Sequence, residues 1–191
     1  MNAHIQKIQP KRDGGVLDIV MVRMVIPEVL IYKTMKAILA MSENRAIGKN
    51  GALPWPSIKK DFKWFKEFTM GKILIVGHTT FTTLPTLKNR NLIVLTRLVY
   101  PDTYDPINNM AFCYRDKDNI VNLDSSHKGE LIVIGGAKTY ELLLPYITEF
   151  YVTHVKGVYD ADTYMIPFEH LYNKQEVIKE FDGHRVVKYT K

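Results

Sequence analysis

From Met35 to the C-terminus, short apolar runs alternate with segments of helical period, and this alternation is what most narrows the folds open to the chain. Residues 36–41, 73–76, 92–95, 111–114 and 131–134 read as buried strands. Segments 58–69, 79–84 and 137–144 read as helices, the last stopped by Pro145, and 150–155 reads as a further strand. Helices between strands supply the crossovers that parallel neighbours require, so an α/β domain follows. The C-terminus departs from this pattern: runs 176–181 and 184–189 flank Asp182-Gly183, a pair that favours a tight hairpin. The expectation is a single α/β domain over 35–191. Its central sheet is mainly parallel, of about eight strands, with an antiparallel C-terminal hairpin and about four helices.

Composition removes several functional classes. At 191 residues, 46% of them apolar and 24% charged, the chain is long enough to bury a substantial core. No run reaches the roughly 18 apolar residues of a membrane span. The single cysteine, Cys113, cannot form an internal disulfide, which fits a reducing, cytoplasmic compartment. A net charge of +6 would suit nucleic acid if the cations formed a stripe with interleaved aromatics. They are scattered, and the densest group, Lys59, Lys60, Lys63 and Lys66, follows a helical polar face. Neither nucleic acid, membrane nor metal is expected, and a monomer is. A basic surface still attracts polyanionic small molecules.

Residues 1–34 carry two apolar runs, 16–22 and 29–32, broken by Asp18, Arg23, Pro27 and Glu28. A signal peptide needs about 7 to 15 uninterrupted apolar residues, which this segment lacks. It is expected to be a poorly ordered extension or the product of an upstream start.

The helix that Ser57 is positioned to open would place Ile58, Phe62, Phe65 and Phe68 or Thr69 on one face, and Asp61 on that same face. Burial of a carboxylate there is costly unless something pairs with it. Asp61 either lends first-turn charge to the helix dipole or pairs with a ligand that has a cationic edge. The loop 45–55 before the helix carries Gly48 and Gly51 and ends in Leu-Pro-Trp; it suits a ligand cover, and equally a turn tucked onto the core. Two strand-to-helix junctions, Gly77-His78-Thr79-Thr80 and Gly135-Gly136-Ala137-Lys138, could offer helix-start N–H groups to phosphate. Each is weak evidence alone, since tight turns want glycine anyway and neither GxGxxG nor GxxxxGK[ST] occurs.

In this order and spacing the segments resemble dihydrofolate reductase over residues 35–191. The resemblance is carried by Ile47-Gly48, Gly51-Ala52-Leu53-Pro54-Trp55, Asp61-Phe62-Lys63-Trp64-Phe65, Gly77 with Thr80, Arg90 and Leu95-Thr96-Arg97. It continues through Ile134-Gly135-Gly136 with Tyr140, Tyr151-Val152-Thr153-His154 and Asp162-Thr163. It implies NADPH-dependent reduction of dihydrofolate, which feeds one-carbon carriers to thymidylate and purine synthesis. Asp61, helped by Thr153, would bind the N3 and 2-amino edge of the pterin by a charge-assisted contact. Leu53 and Trp55, from the covering loop, join them as catalytic positions. Ile38, Phe62 and Phe65 would sandwich the rings, with Lys66 and Leu87 along the tail and Arg90 on its α-carboxylate. For the cofactor the resemblance implies Ala40, Ile47, Gly48, Gly51 and Ala52. Further along it implies His78, Thr79, Thr80, Leu95, Thr96 and Arg97. The turn from Ile134 through Gly135, Gly136, Ala137, Lys138, Thr139 and Tyr140 completes the set.

The chain departs from the family at His78, where Arg or Lys is usual, and at Thr79, where a basic residue is usual. It also has Phe81 in place of Trp and Ala137 in place of a third glycine. Segment 81–90 is short, which bears on tail contacts around Thr86 and Leu87. Two other readings compete. A reductase of the same fold acting on a pyrimidine intermediate of riboflavin synthesis is opposed by Asp61 and Arg90; a binding module without turnover is opposed by the filled catalytic positions.

Overall fold

The computed structural model describes residues 35–97, 111–114 and 130–191, the second of these as backbone. The reading of residues 1–34 lies outside the described residues.

Ten strands and three α-helices are described. The strands are β1 (Met35–Ser42), β2 (Ala46–Gly48), β3 (Ile73–Gly77), β4 (Asn91–Leu95), β5 (Ala111–Tyr114), β6 (Leu131–Gly135), β7 (Ile147–Val155), β8 (Thr163–Tyr164), β9 (Lys174–Phe181) and β10 (His184–Thr190). The helices are α1 (Lys59–Thr69), α2 (His78–Phe81) and α3 (Ala137–Leu143). Eight strands form one sheet in the order β5-β4-β3-β6-β1-β7-β10-β9. Every neighbouring pair from β5 to β7 is parallel, and β10 runs antiparallel to both β7 and β9, the expected C-terminal hairpin. β2 and β8 form a separate two-stranded ribbon.

The two-residue period of the strands divides the core between the sheet faces. Ala37, Leu39, Met41, Ile75, Val133 and Val152 pack on the face covered by α3, with Tyr140, Leu143, Phe150 and Phe168. Ile38, Leu74, Val76, Val94, Ile132 and Tyr151 pack on the other face, under Trp64, Phe65 and Phe68 of α1. Because β6 is inserted between β1 and β3, the register brings Gly77 beside Leu95 and Val76 beside Gly135. The carboxyl ends of β1, β3, β4 and β6 thus meet along one edge, where ligands bind in open parallel sheets.

Three local expectations are corrected. Helix α1 begins at Lys59: Ile58 holds an extended backbone (φ −97, ψ 96) as the residue before the first turn, and no side chain, Ser57 included, caps it. Helix α2 stops at Phe81 instead of continuing to 84, because Thr82 and Thr83 turn their hydroxyls back onto the carbonyls of Thr79 and Thr80, and Pro85 follows. Helix α3 ends one residue early and passes into a 3-10 turn, Leu144–Tyr146, that accommodates Pro145. No helix among the described residues is long and apolar enough to cross a membrane.

Candidate active site

The inward stripe of α1 is Asp61, Trp64, Phe65, Phe68 and Thr69, an i, i+3, i+4, i+7, i+8 set that takes in Trp64 where the expected stripe had Phe62. Phe62 lies off that stripe and is 49% exposed, while Asp61 is 8% exposed. The Thr153 hydroxyl on β7 donates to Asp61 Oδ1 at 2.7 Å. Burial pushes the Asp61 carboxyl above its ordinary range; the Thr153 hydrogen bond and the charge of His184 pull it back. The structure thus brings Asp61 and Thr153 together, as the resemblance implied, and a cationic partner would offset the remaining desolvation.

The covering loop is held on several sides. Arg45 donates through Nε to the Met165 carbonyl at 2.8 Å, through Nη2 to the Ile166 carbonyl, and pairs with Glu169 at 2.8 Å. Asp162 accepts the Asn50 N–H at 2.6 Å, and its own N–H donates to the Gly48 carbonyl at 3.1 Å. Lys49 pairs with Asp160. Trp55 is buried edge-on against Tyr159, centroids 5.6 Å apart, whereas Leu53 remains partly exposed. Trp55 Nε1 is buried without a hydrogen-bond partner among the described residues.

Arg90 is 6% exposed and anchors the end of α1. Its Nε donates to Thr69 Oγ1 at 3.2 Å, its Nη1 to the Lys88 carbonyl at 2.9 Å and its Nη2 to the Lys66 carbonyl at 3.0 Å. A guanidinium has five N–H groups, so these bonds orient the fork and leave one N–H on each Nη for a carboxylate. Leu87 and Ile38 are buried in the α1-side core and Lys66 is exposed. The Ile38 carbonyl accepts the Tyr140 hydroxyl at 2.6 Å, and burial raises that phenol well above its ordinary pKa.

The two strand-to-helix junctions interlock. A Cβ on Gly77 would lie 2.5 Å from Thr139 Oγ1, and one on Gly136 would lie 2.8 Å from Thr80 Oγ1. Glycine is needed here for close packing of one turn on the other, not merely for turn geometry. Neither α2 nor α3 has a side-chain cap. Around the junctions, Thr96 is buried, Ala40, Ile47, Gly48, His78, Thr80, Leu95 and Ala137 are half-buried, and Gly51, Ala52, Thr79, Arg97 and Lys138 are exposed. One residue near Asp61 was not anticipated from the sequence. His184, the first residue of β10, reads there as an ordinary hairpin position, with an inward place in the strand alternation as its one signal.

The model of the dihydrofolate reductase family matches residues 34–189. A dihydrofolate reductase type 8 from Escherichia coli is 38% identical over 160 residues, covering 81% of this chain and 94% of the relative. The dihydrofolate reductase of Mus musculus is 27% identical, over 80% of this chain and 88% of its own. Among solved structures, a dihydrofolate reductase from Enterococcus faecalis complexed with NADP(H) and RAB-propyl superposes with a TM-score of 0.69. It is 26% identical and covers 83% of this chain and 96% of its own. Fold, site and relatives define a reductase built on a mainly parallel α/β sheet. The buried carboxylate, the covering loop and the paired glycine junctions all fall inside the matched span. The chain belongs to the dihydrofolate reductase family.

Proposed function

We propose that the protein reduces 7,8-dihydrofolate to 5,6,7,8-tetrahydrofolate with NADPH, and so supplies one-carbon carriers for thymidylate and purine synthesis. The observation that carries this reading is the buried Asp61, bound by Thr153 on the α1 side of the sheet in a chain of this family. Asp61 would accept the N3 and 2-amino protons of the pterin in a bidentate contact, and its charge would favour proton arrival at the ring. Phe62 and Phe65, with Ile38, would hold the rings, Lys66 and Leu87 would border the tail, and Arg90 would receive the tail carboxylate.

The residues present fit the cofactor. Two uncapped helix starts lie side by side, with glycines at the point of closest approach and Arg97 and Lys138 exposed nearby, a combination suited to a pyrophosphate and a 2′-phosphate. NADPH, when bound, supplies the hydride. The chain's share is to hold donor and acceptor in register and to exclude water, through the loop anchored by Arg45 and Asp162 and carrying Leu53 and Trp55. Residues 35–191 would form the catalytic domain, working as a monomer in the cytoplasm, with 1–34 outside it. Loss of reduced-nicotinamide absorbance that depends on added dihydrofolate tests the reading; absence of turnover in the folded protein would refute it.

A further inference from the structure

The inward stripe of α1 carries a polar side chain at each end, Asp61 in the first turn and Thr69 in the last. At a rise of about 1.5 Å per residue the two stand about 12 Å apart along the helix axis. Thr69 has no exposed surface. Threonine is a weak helix former, and an apolar side chain would gain more from full burial at this position. The hydroxyl therefore calls for a reason.

Arg90 supplies that reason. The Thr69 hydroxyl gives its one proton to the Phe65 carbonyl at 2.7 Å, so toward any further partner its oxygen can only accept. It accepts from Arg90 Nε at 3.2 Å. The other two contacts of the guanidinium go to the carbonyls of Lys88 and Lys66, which are main-chain groups that any residue would provide. Of the three contacts, the one with Thr69 alone depends on a side chain. The backbone around Arg90 is held separately: the Gly71 N–H donates to the Asn89 carbonyl at 2.9 Å and the Asn91 N–H to the Lys72 carbonyl at 3.2 Å. These bonds tie the segment carrying Arg90 to the turn after α1 whatever stands at position 69.

We propose that Thr69 is a positioning residue for substrate selection: it holds the Arg90 fork ready for a tail that ends in a free carboxylate, and so sets the preference for such a substrate over one with the same ring and no tail. This rests on the reading of Arg90 as the group that receives the tail carboxylate. Nε lies where the guanidinium plane joins its flexible stem, so a bond at Nε fixes the tilt of that plane. A planar fork held before the ligand arrives loses less freedom on binding, and its two remaining Nη protons meet both carboxylate oxygens at once. A hydroxyl that served only to close the last turn of α1 would need the Phe65 carbonyl and nothing from Arg90.

The test uses the full chain with Thr69→Val, which keeps the β-branch and removes the hydroxyl, and Thr69→Ser, which keeps the hydroxyl. Binding of dihydrofolate is followed by quenching of tryptophan fluorescence and its reduction by NADPH oxidation, each beside a methylated 7,8-dihydropterin that has the ring and no tail. Thr69→Val is expected to raise Kd and KM for dihydrofolate about tenfold, the low end for a hydrogen bond to a charged group, with kcat within about twofold of wild type. The tail-less substrate should respond to neither variant, and Thr69→Ser should recover the wild-type values for dihydrofolate. A folded Thr69→Val protein with wild-type Kd and KM, an equal loss on both substrates, or a Thr69→Ser protein that fails to recover overturns the proposal. A second measurement needs no variant to fold: in ligand-free wild type the Arg90 Nε–H, followed by nitrogen-15 NMR, should exchange slowly with solvent, and rapid exchange overturns the proposal too. Wild type that binds dihydrofolate with this dependence on Thr69 but does not oxidise NADPH would refute the proposed function instead, and support the role of Thr69.

Discussion

Thr153→Val removes one atom's chemistry and almost none of its shape. Thr153 is 1% exposed in β7, paired with Ala40 on β1 and Val186 on β10, and valine keeps both the β-branch and the strand pairing. What disappears is the hydroxyl that donates to Asp61 Oδ1 at 2.7 Å. A hydrogen bond to a charged group contributes about 1.5–3 kcal/mol, which corresponds to a fall in kcat/KM of about 10- to 150-fold if the full contact supports substrate pairing. The pH profile moves as well. That hydrogen bond pulls the Asp61 carboxyl down against burial, so without it Asp61 ionises at higher pH and the ionisation limb of kcat/KM shifts upward. Steady-state oxidation of NADPH across pH, with a thermal melt to verify folding, measures both effects. A folded Thr153→Val protein with kcat/KM within about twofold of wild type and an unshifted limb would refute the reasoning, since the lost bond could not then have been worth its expected magnitude.

Further outcomes follow from other parts of the site. Gly77→Ala forces a Cβ to within 2.5 Å of Thr139 Oγ1, so it should cost about 1–3 kcal/mol in denaturant melts and weaken NADPH binding in fluorescence titrations; wild-type values for both would show that the junctions are not tightly interlocked. His78→Arg places a permanent charge at the first residue of α2 and should tighten NADPH by about 1–2 kcal/mol in fluorescence titrations; unchanged affinity would remove His78 from the phosphate side. A chain beginning at Met35 should keep the reductase activity and thermal midpoint of the full chain, because it retains all but the first residue of the matched span 34–189; insoluble protein would show that 1–34 supports the domain.

The legible parts of the fold were those written in continuous apolar runs. β3 and β6 carry no polar side chain, and β1 and β4 are interrupted only by Lys36 and at their ends by Ser42 and Asn91, because their central residues are buried on both faces; Asp182-Gly183 marks the hairpin by its turn chemistry. The pairing of β2 with β8 was not legible, since three residues facing two carry no period; it is set by Arg45 reaching the carbonyls of Met165 and Ile166 far along the chain. On α1, the run of aromatics at 62, 64, 65 and 68 allows more than one stripe, and tertiary packing chose Trp64 over Phe62. Asp61 stood out because a carboxylate on a buried face needs a partner, yet its partner Thr153 came only from family resemblance. His184 gave no such signal, because its relation to Asp61 arises from strand register across the sheet.

Pairing of the Asp61 carboxylate with substrate is the step on which the proposed reaction turns, and Asp61→Asn measured beside wild type tests it. Burial raises the folded-state pKa of Asp61 above its ordinary value of 3.8, so ionisation costs the ligand-free fold stability. The amide avoids that cost: the thermal midpoint of Asp61→Asn should equal or exceed that of wild type at neutral pH, and the difference should close as pH falls toward 3.8. Dihydrofolate-dependent NADPH oxidation by the same sample should be largely lost at neutral pH and partly recover in acid, where substrate arrives already protonated. A stable Asp61→Asn protein with near wild-type turnover at neutral pH would contradict the account.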